Sequence, residues 1–87
     1  MKPPRNAFEI ALVAIWREVF DVDLLGIDDD FLSLGGDSLH AAQIAEHVAS
    51  RFNVKLAPGA ALQLQTVAQM AELVAARIRA RDSRGNG

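Results

Sequence analysis

Apolar residues recur at intervals of three and four in three separate stretches of this chain, and no stretch alternates apolar and polar residues as a β-strand would. The three stretches cover about residues 6–20, 38–52 and 66–81, and one short helical turn fits residues 60–64. We therefore predict an all-α domain: a small four-helix bundle of three main helices and one short helix, with a long loop between the first two.

Polar residues just before these stretches indicate where helices begin. Asn6 is followed by Glu9, and Thr66 by Gln69, which is the spacing of a capping box. Asn53 is a suitable end for the second helix because asparagine tolerates the left-handed backbone that closes many helices.

The folded part of the chain is predicted to be residues 6–81, between a flexible leader (1–5) and a flexible tail (82–87) that has no apolar anchor. The 87 residues, 51% of them hydrophobic, suffice for one compact core. No apolar run approaches the roughly 18 residues of a membrane span, and no secretory signal is visible. We expect a cytoplasmic protein without membrane contact, and the initial methionine and short ends favour a freestanding one.

The connection from Asp21 to Asp37 has no helical period and is longer than an ordinary loop, which predicts that it is functional or held by packing. Its apolar side chains are expected to fix it across the helices: Leu24, Ile27, Phe31, Leu32 and Leu34. Its six acids, with no base among them, are interpreted as a solvated acidic face.

No metal site is predicted. Asp21, Asp23 and Gly26 fall on positions 1, 3 and 6 of a calcium-binding EF-hand loop, but Leu25 and Leu32 occupy positions where ligands are required. The chain also has no cysteine.

Two further sets of polar residues, a pair of histidines and a group of arginines, are predicted to bind neither a metal ion nor nucleic acid. His40 and His47 lie two turns apart on the second helix, about 10 Å, which is too far to chelate one ion, so exposed polar positions are predicted. Four arginines near the C-terminus have no interleaved aromatic residue and complement the helix dipole, so no nucleic acid is expected: Arg77, Arg79, Arg81 and Arg84.

The run from Leu34 to Leu39 places the hydroxyl of Ser38 at the start of the second helix, where Ser38 or Asp37 suits the N-cap. Residues 36–39 resemble the signature of the GDSL esterases. The one aspartate and histidine at that family's spacing, Asp37 and His40, overlap the serine, and His40 points about 200° away from it around the helix. The third interpretation is covalent attachment by a partner enzyme, with a phosphate held by free N–H groups at the helix N-terminus.

Three segments resemble the phosphopantetheine-binding carrier proteins, most closely the peptidyl carrier (thiolation) domains of nonribosomal peptide synthetases. Ala14–Val19 is similar to the family's A-x-I-W-x-E-V in the first helix. Asp29–Leu39 is similar to D-x-F-F-x-L-G-G-x-S-L, and Thr66–Ala68 to the T-V-A that opens the last helix. Together the three segments favour the third interpretation of the serine.

The resemblance implies a covalent carrier rather than an enzyme. Ser38, beside Gly36 and Asp37, would receive a 4′-phosphopantetheine arm from coenzyme A, and the arm's thiol would hold aminoacyl, peptidyl or aryl groups as thioesters. The implied partners are a phosphopantetheinyl transferase, an adenylation enzyme or domain, and condensation, epimerization or tailoring enzymes, all acting on a monomer. They would dock on one face of the second helix: Leu39, Ala42, Gln43 and Glu46.

The second helix has nearly balanced charge, whereas fatty-acid and polyketide carriers usually have a strongly acidic one, so the peptidyl branch is favoured. Two residues depart from the family pattern. Gln65 stands where proline is common, and Asp37 where peptidyl carriers often have histidine. An acyl carrier of a polyketide or fatty-acid pathway and an unmodified helical interaction module are the alternatives.

Overall fold

The computed structural model describes residues 2–85 and contains α1 (Ala7–Phe20), α2 (Ser38–Phe52), α3 (Pro58–Leu64) and α4 (Val67–Gly85). Every regular element in this described part is a helix, so the predicted all-α class is confirmed. α1 packs against α2 and α4, while the short α3 packs mainly against α2. None of the helices described is both long enough and apolar enough to cross a membrane.

The last helix continues beyond the predicted domain boundary at residue 81 and ends at Gly85. No glycine or proline interrupts the chain from Val67 to that point, so nothing local stops the helix earlier. The flexibility of the leader (1–5) and of the tail (82–87) stays a prediction, and residues 1, 86 and 87 lie outside the described residues.

α1 begins as predicted at Asn6, whose side-chain oxygen accepts the N–H of Glu9 at 2.9 Å. The Glu9 carboxylate does not complete a capping box. It accepts the backbone N–H of Arg5 at 2.7 Å and the guanidinium of Arg5 at 2.8 and 3.2 Å. The Glu9 side chain is only 3% exposed, and the hydrogen bond from the Arg5 guanidinium lowers the pKa of Glu9.

Glu9→Gln is expected to lower the free energy of unfolding by about 1–2 kcal/mol near neutral pH, because it replaces charge-assisted hydrogen bonds with neutral ones. A lowered folded-state pKa means that the carboxylate stabilises the fold fully above about pH 5 and loses this effect as the pH falls through the folded pKa. Denaturant unfolding should therefore show the stabilities of parent and variant converging as the pH falls through the folded-state pKa of Glu9. Glu18→Gln, at an exposed position of the same helix, is the control. A difference in the free energy of unfolding between parent and Glu9→Gln that stays constant with pH would contradict a stabilising role for the ionised carboxylate.

An aromatic cluster holds the α1–α2 loop against α1. Trp16 and Phe31 are fully buried and meet edge to face, with ring centroids 5.7 Å apart and planes at 79°. Phe20 meets Phe31 in a similar way, with centroids 5.4 Å apart. Such edge-to-face contacts are the favoured geometry for aromatic pairs, so the loop has a fixed anchor shortly before α2 begins.

Three of the five predicted loop anchors are at least half-buried: Ile27, Phe31 and Leu34. The other two predictions were wrong, since Leu24 is 75% exposed and Leu32 is 54% exposed. Leu25 is buried instead of its neighbour Leu24. The loop has no helical period, so the sequence does not indicate which of the two adjacent leucines faces the core.

Backbone hydrogen bonds tie the same loop to the rest of the fold. The N–H of Ile27 donates to the carbonyl of Lys2 at 2.9 Å, and the carbonyl of Ile27 accepts the N–H of Ala68 at 3.1 Å. The N–H of Phe31 donates to the carbonyl of Gln65. The loop is therefore joined both to the start of the chain and to the α3–α4 junction.

Two acids of the loop close turns. Asp29 accepts the N–H of Gly26 at 2.8 Å, and Asp30 accepts the N–H of Ser33 at 3.0 Å. Within the described residues no group of three or more histidine, aspartate or glutamate side chains is placed to hold a metal ion. These two acids therefore shape the loop locally.

Gln65 has a left-handed backbone, with φ 60°. Proline, which is common here in the family that the sequence resembles, cannot adopt this φ because its ring fixes φ near −65°. Gln65→Pro is expected to lower the free energy of unfolding by about 2–3 kcal/mol, whereas Gln65→Gly changes it by less than about 1 kcal/mol because relieved strain offsets added chain entropy. Denaturant unfolding of both variants measures this. Equal stability of the two would show that the left-handed backbone is not required.

α2 ends at Asn53, which has a left-handed backbone (φ 55°) and donates its N–H to the carbonyl of Ala49. Arg81 donates to the carbonyl of Asn53 at 2.7 Å, and Arg77 donates to that of Lys55 at 3.2 Å. These arginines, predicted to complement the dipole of their own helix, also bind carbonyl groups at and just beyond the C-terminal end of α2.

Candidate functional site

Two glycines bring the loop to α2, each for a different reason. Gly35 has a left-handed backbone, with φ 87°, and an added Cβ would meet nothing within 4 Å. Gly36 lies against the ring of Phe31, where an added Cβ would come within 2.6 Å of ring carbons. Its N–H also donates to the carbonyl of Phe31 at 3.0 Å. The first glycine is therefore required for the turn and the second for close packing.

The N-cap of α2 is Asp37. Its Oδ1 atom accepts the N–H of Leu39 at 3.0 Å and the N–H of His40 at 3.1 Å, and its backbone is extended. The hydrogen bond from the backbone N–H of His40 is the largest cause of the lowered pKa of the Asp37 carboxyl. The sequence left Asp37 and Ser38 as alternative caps, and the structure assigns the cap to Asp37.

Ser38 is the first residue of α2, and its side chain is exposed. Among the side chains that the structure describes, its hydroxyl makes no hydrogen bond to a carboxylate, an imidazole or any other group. A nucleophilic serine of the hydrolase type needs a base within hydrogen-bonding distance. The geometry therefore fits a serine that is accessible to another protein and lacks a base of its own.

The structure alters one prediction about this helix end. The sequence indicated that free N–H groups at the start of α2 would hold a phosphate, but the N–H groups of Leu39 and His40 already donate to Asp37. An aspartate carboxylate thus takes the place that an anion would occupy at these two groups.

His40 is not the exposed polar residue predicted from the sequence, and His47 is half-buried as well. The His40 side chain is 29% exposed, and its ring stacks on Phe20 with centroids 4.8 Å apart and planes at 17°. Its Nδ1 lies 2.9 Å from Oδ1 of Asp37. The i,i+3 spacing of Asp37 and His40 could have signalled the polar contact, but no sequence pattern connects His40 with Phe20.

The predicted docking residues lie on one face of α2, because they are spaced at three, four and seven residues. Leu39 is 64% exposed, Gln43 and Glu46 are also exposed, and Ala42 is half-buried. A large exposed leucine beside Ser38 is consistent with a contact surface. Docking at these residues stays a prediction.

Fold and site together define a class: a small helical domain that presents an accessible serine at the start of its second helix. No described side chain is placed to act as a base for this serine. Residues 11–74 match the family described as "Phosphopantetheine attachment site". The chain therefore belongs to the phosphopantetheine-attachment family. It is a carrier of covalently bound phosphopantetheine, as the resemblance implied, and not a catalyst.

The relatives place the chain within this family. It is 39% identical over 80 residues to tyrocidine synthase 1 of Brevibacillus parabrevis, a match that covers 92% of this chain and 7% of that protein. A peptidyl carrier protein solved with the phosphopantetheine transferase Sfp and coenzyme A is 33% identical, with a TM-score of 0.83 over 87% of this chain and 99% of that one.

A third relative is the adenylation–peptidyl carrier structure of McyG, complexed with phenylalanyl-adenylate. It is 30% identical, with a TM-score of 0.76 over 82% of this chain and 11% of that one. The chain therefore spans only a small part of the synthetases that it matches. For a linear gramicidin synthase of Brevibacillus parabrevis, 41% identical over 73 residues, that part is 1% of the length.

Proposed function

We propose that Ser38 is the attachment point of the 4′-phosphopantetheine arm and that the domain carries aminoacyl or peptidyl thioesters in nonribosomal peptide synthesis. The observation that supports this most directly is the exposed Ser38 hydroxyl at the first residue of α2, within the region matched by the family. The arm, when bound, supplies a thiol that holds the substrate as a thioester.

The group of this chain that reacts in the transfer is the accessible hydroxyl of Ser38. The oxygen of Ser38 forms a bond to the β-phosphorus of coenzyme A, and the bond from that phosphorus to the nucleotide portion breaks. The hydroxyl proton passes to a base of the transferase, and the nucleotide portion leaves as a phosphate ester. Because no described side chain pairs with Ser38, the serine is expected to stay unmodified until the transferase and its divalent ion are present.

Intact-mass spectrometry tests the attachment. Incubation with coenzyme A, magnesium and a promiscuous transferase should add one phosphopantetheine per chain, and peptide mapping should place it on Ser38. The exposed Ser33 and Ser50 serve as internal controls. No mass gain in folded protein, or a gain at another serine, would refute the proposal.

Whether the chain is a peptidyl or an acyl carrier is tested on the protein that already bears the phosphopantetheine arm. We propose an adenylation enzyme as the loading partner, supported by the nearly balanced charge of α2 and by the adenylation–carrier structure among the relatives. Loading from an amino acid or aryl acid and ATP supports the peptidyl branch. Loading by malonyl transfer alone would assign the chain to the acyl carriers.

The docking face is also a proposal. Leu39→Ala is expected to slow loading by an adenylation enzyme about five-fold, because it removes an exposed apolar contact directly beside Ser38. Leu24→Ala is the matched control, since Leu24 is 75% exposed but lies beside α1. An equal decrease in the loading rate of both variants would contradict a docking face on α2.

The proposal also covers the role of α3, the oligomeric state, and the location and partners of the protein. We propose that the short α3 counts as a fourth member of the bundle, supported by its packing against α2. We also propose a monomer, which light scattering would test. A cytoplasmic location and condensation, epimerization or tailoring partners are proposed from the use of coenzyme A and from the synthetase relatives.

A further inference from the structure

The two oxygens of the Asp37 carboxylate differ in the hydrogen bonds that they accept. Oδ1 accepts three hydrogen bonds, from the N–H of Leu39, the N–H of His40 and the Nδ1 of His40. Within the described residues Oδ2 accepts none, and the Asp37 side chain is 65% exposed. One oxygen therefore closes the helix while the other stays available beside Ser38.

The ring of His40 is held on two sides. Phe20 stacks on its face, and Phe20 itself packs edge to face on the fully buried Phe31. At the ring edge, Nδ1 lies 2.9 Å from the Asp37 carboxylate. An ionised carboxylate can only accept a hydrogen bond, so Nδ1 carries the hydrogen in this contact. His40 thus connects the aromatic cluster to the carboxylate.

We infer that His40 is a positioning residue for the modification of Ser38: it holds the Asp37 carboxylate with Oδ1 on the helix end, so that Oδ2 is presented to a cationic or N–H group of the incoming transferase. The inference rests on the proposed function. His40 makes no hydrogen bond to Ser38, so its effect passes through Asp37 and concerns the encounter with the transferase.

Two substitutions distinguish the hydrogen bond that His40 donates from the stacking of its ring on Phe20. His40→Asn places an amide nitrogen where Nδ1 lies, and so keeps the donor while losing the stack on Phe20. His40→Phe keeps an aromatic ring on Phe20 and loses the donor. Loss of one hydrogen bond of this kind corresponds to a change of about three- to ten-fold in an equilibrium.

The experiment is the kinetics of arm transfer, followed by intact mass at varied carrier concentration. His40→Phe should raise the KM for the carrier about three- to ten-fold with little change in kcat, and His40→Asn should restore most of the parent KM. Nitrogen-15 spectra of the parent should show His40 protonated at Nδ1. In His40→Phe the backbone amides of residues 39 and 40 should stay as protected from hydrogen exchange as in the parent, because both still donate to Asp37.

A double-mutant cycle shows whether the effect passes through Asp37. On an Asp37→Ala background, His40→Phe should add little to KM. A parent-like KM in His40→Phe, a His40→Asn as impaired as His40→Phe, or an undiminished effect without Asp37 would each overturn the inference. Failure of the parent to accept an arm on Ser38 would instead refute the proposed function, so the two failures are distinguishable.

Discussion

Ser38→Ala is expected to abolish attachment of the phosphopantetheine arm and to change the free energy of unfolding by no more than about 0.5 kcal/mol. Attachment is lost because alanine has no oxygen to bond to phosphorus. Stability is kept because the Ser38 side chain is exposed and makes no hydrogen bond within the described residues. Alanine is also a good helix former, so the first residue of α2 tolerates it.

Two further variants make this result specific. Asp37→Ala removes the cap of α2 and should lower the free energy of unfolding clearly more than Ser38→Ala does. Ser33→Ala, at an exposed loop position, should leave attachment unchanged and stability nearly so, because it loses only the 3.4 Å hydrogen bond from the Ser33 hydroxyl to Asp30. Intact mass and denaturant unfolding of the three variants give both readouts. A clear loss of stability in Ser38→Ala would show that the serine is the cap, and continued attachment would place the arm elsewhere.

Three helix ends could be predicted from the sequence because their causes are local. Asn6 and Thr66 each accept the N–H three residues later, as the spacing of polar residues predicts. Asn53 ends α2 with the left-handed backbone that asparagine tolerates. Ser38 could be identified for the same reason, because a pair of glycines directly before a helical stretch is a local sequence pattern.

The environment of the serine could not be predicted in the same detail. His40 stacks on Phe20, a residue of a different helix, and this contact depends on how α1 and α2 pack. The choice of Leu25 over Leu24 as a buried residue likewise depends on the path of the loop. Local patterns therefore identified the attachment candidate, while tertiary packing determined what surrounds it.

The role of Gly36 also became visible only in the structure. In the sequence the two glycines are adjacent, and nothing distinguishes one from the other. Only Gly35 has a positive φ, whereas Gly36 is pressed against a buried aromatic ring. The two glycines should therefore respond differently to substitution.

Gly36→Ala is expected to lower the free energy of unfolding by about 1–3 kcal/mol, because its Cβ would come within 2.6 Å of the Phe31 ring. The ring has little room to move, since Trp16 and Phe20 both meet it edge to face. Denaturant unfolding measures the loss. Gly59→Ala is the matched control, because an added Cβ there meets nothing within 4 Å and alanine favours the α3 helix.

A smaller residue at position 31 tests whether the cost of Gly36→Ala comes from this one contact. On a Phe31→Leu background, which itself loses stability by leaving space in the core, Gly36→Ala should cost clearly less than in the parent. The two substitutions are then coupled, with the double variant more stable than the sum of the single losses predicts. Additive losses would mean that Gly36 is required for its backbone and not for its contact with Phe31. Because this contact lies directly before Asp37 and Ser38, Gly36→Ala should also slow arm transfer, and Phe31→Leu should partly restore the rate.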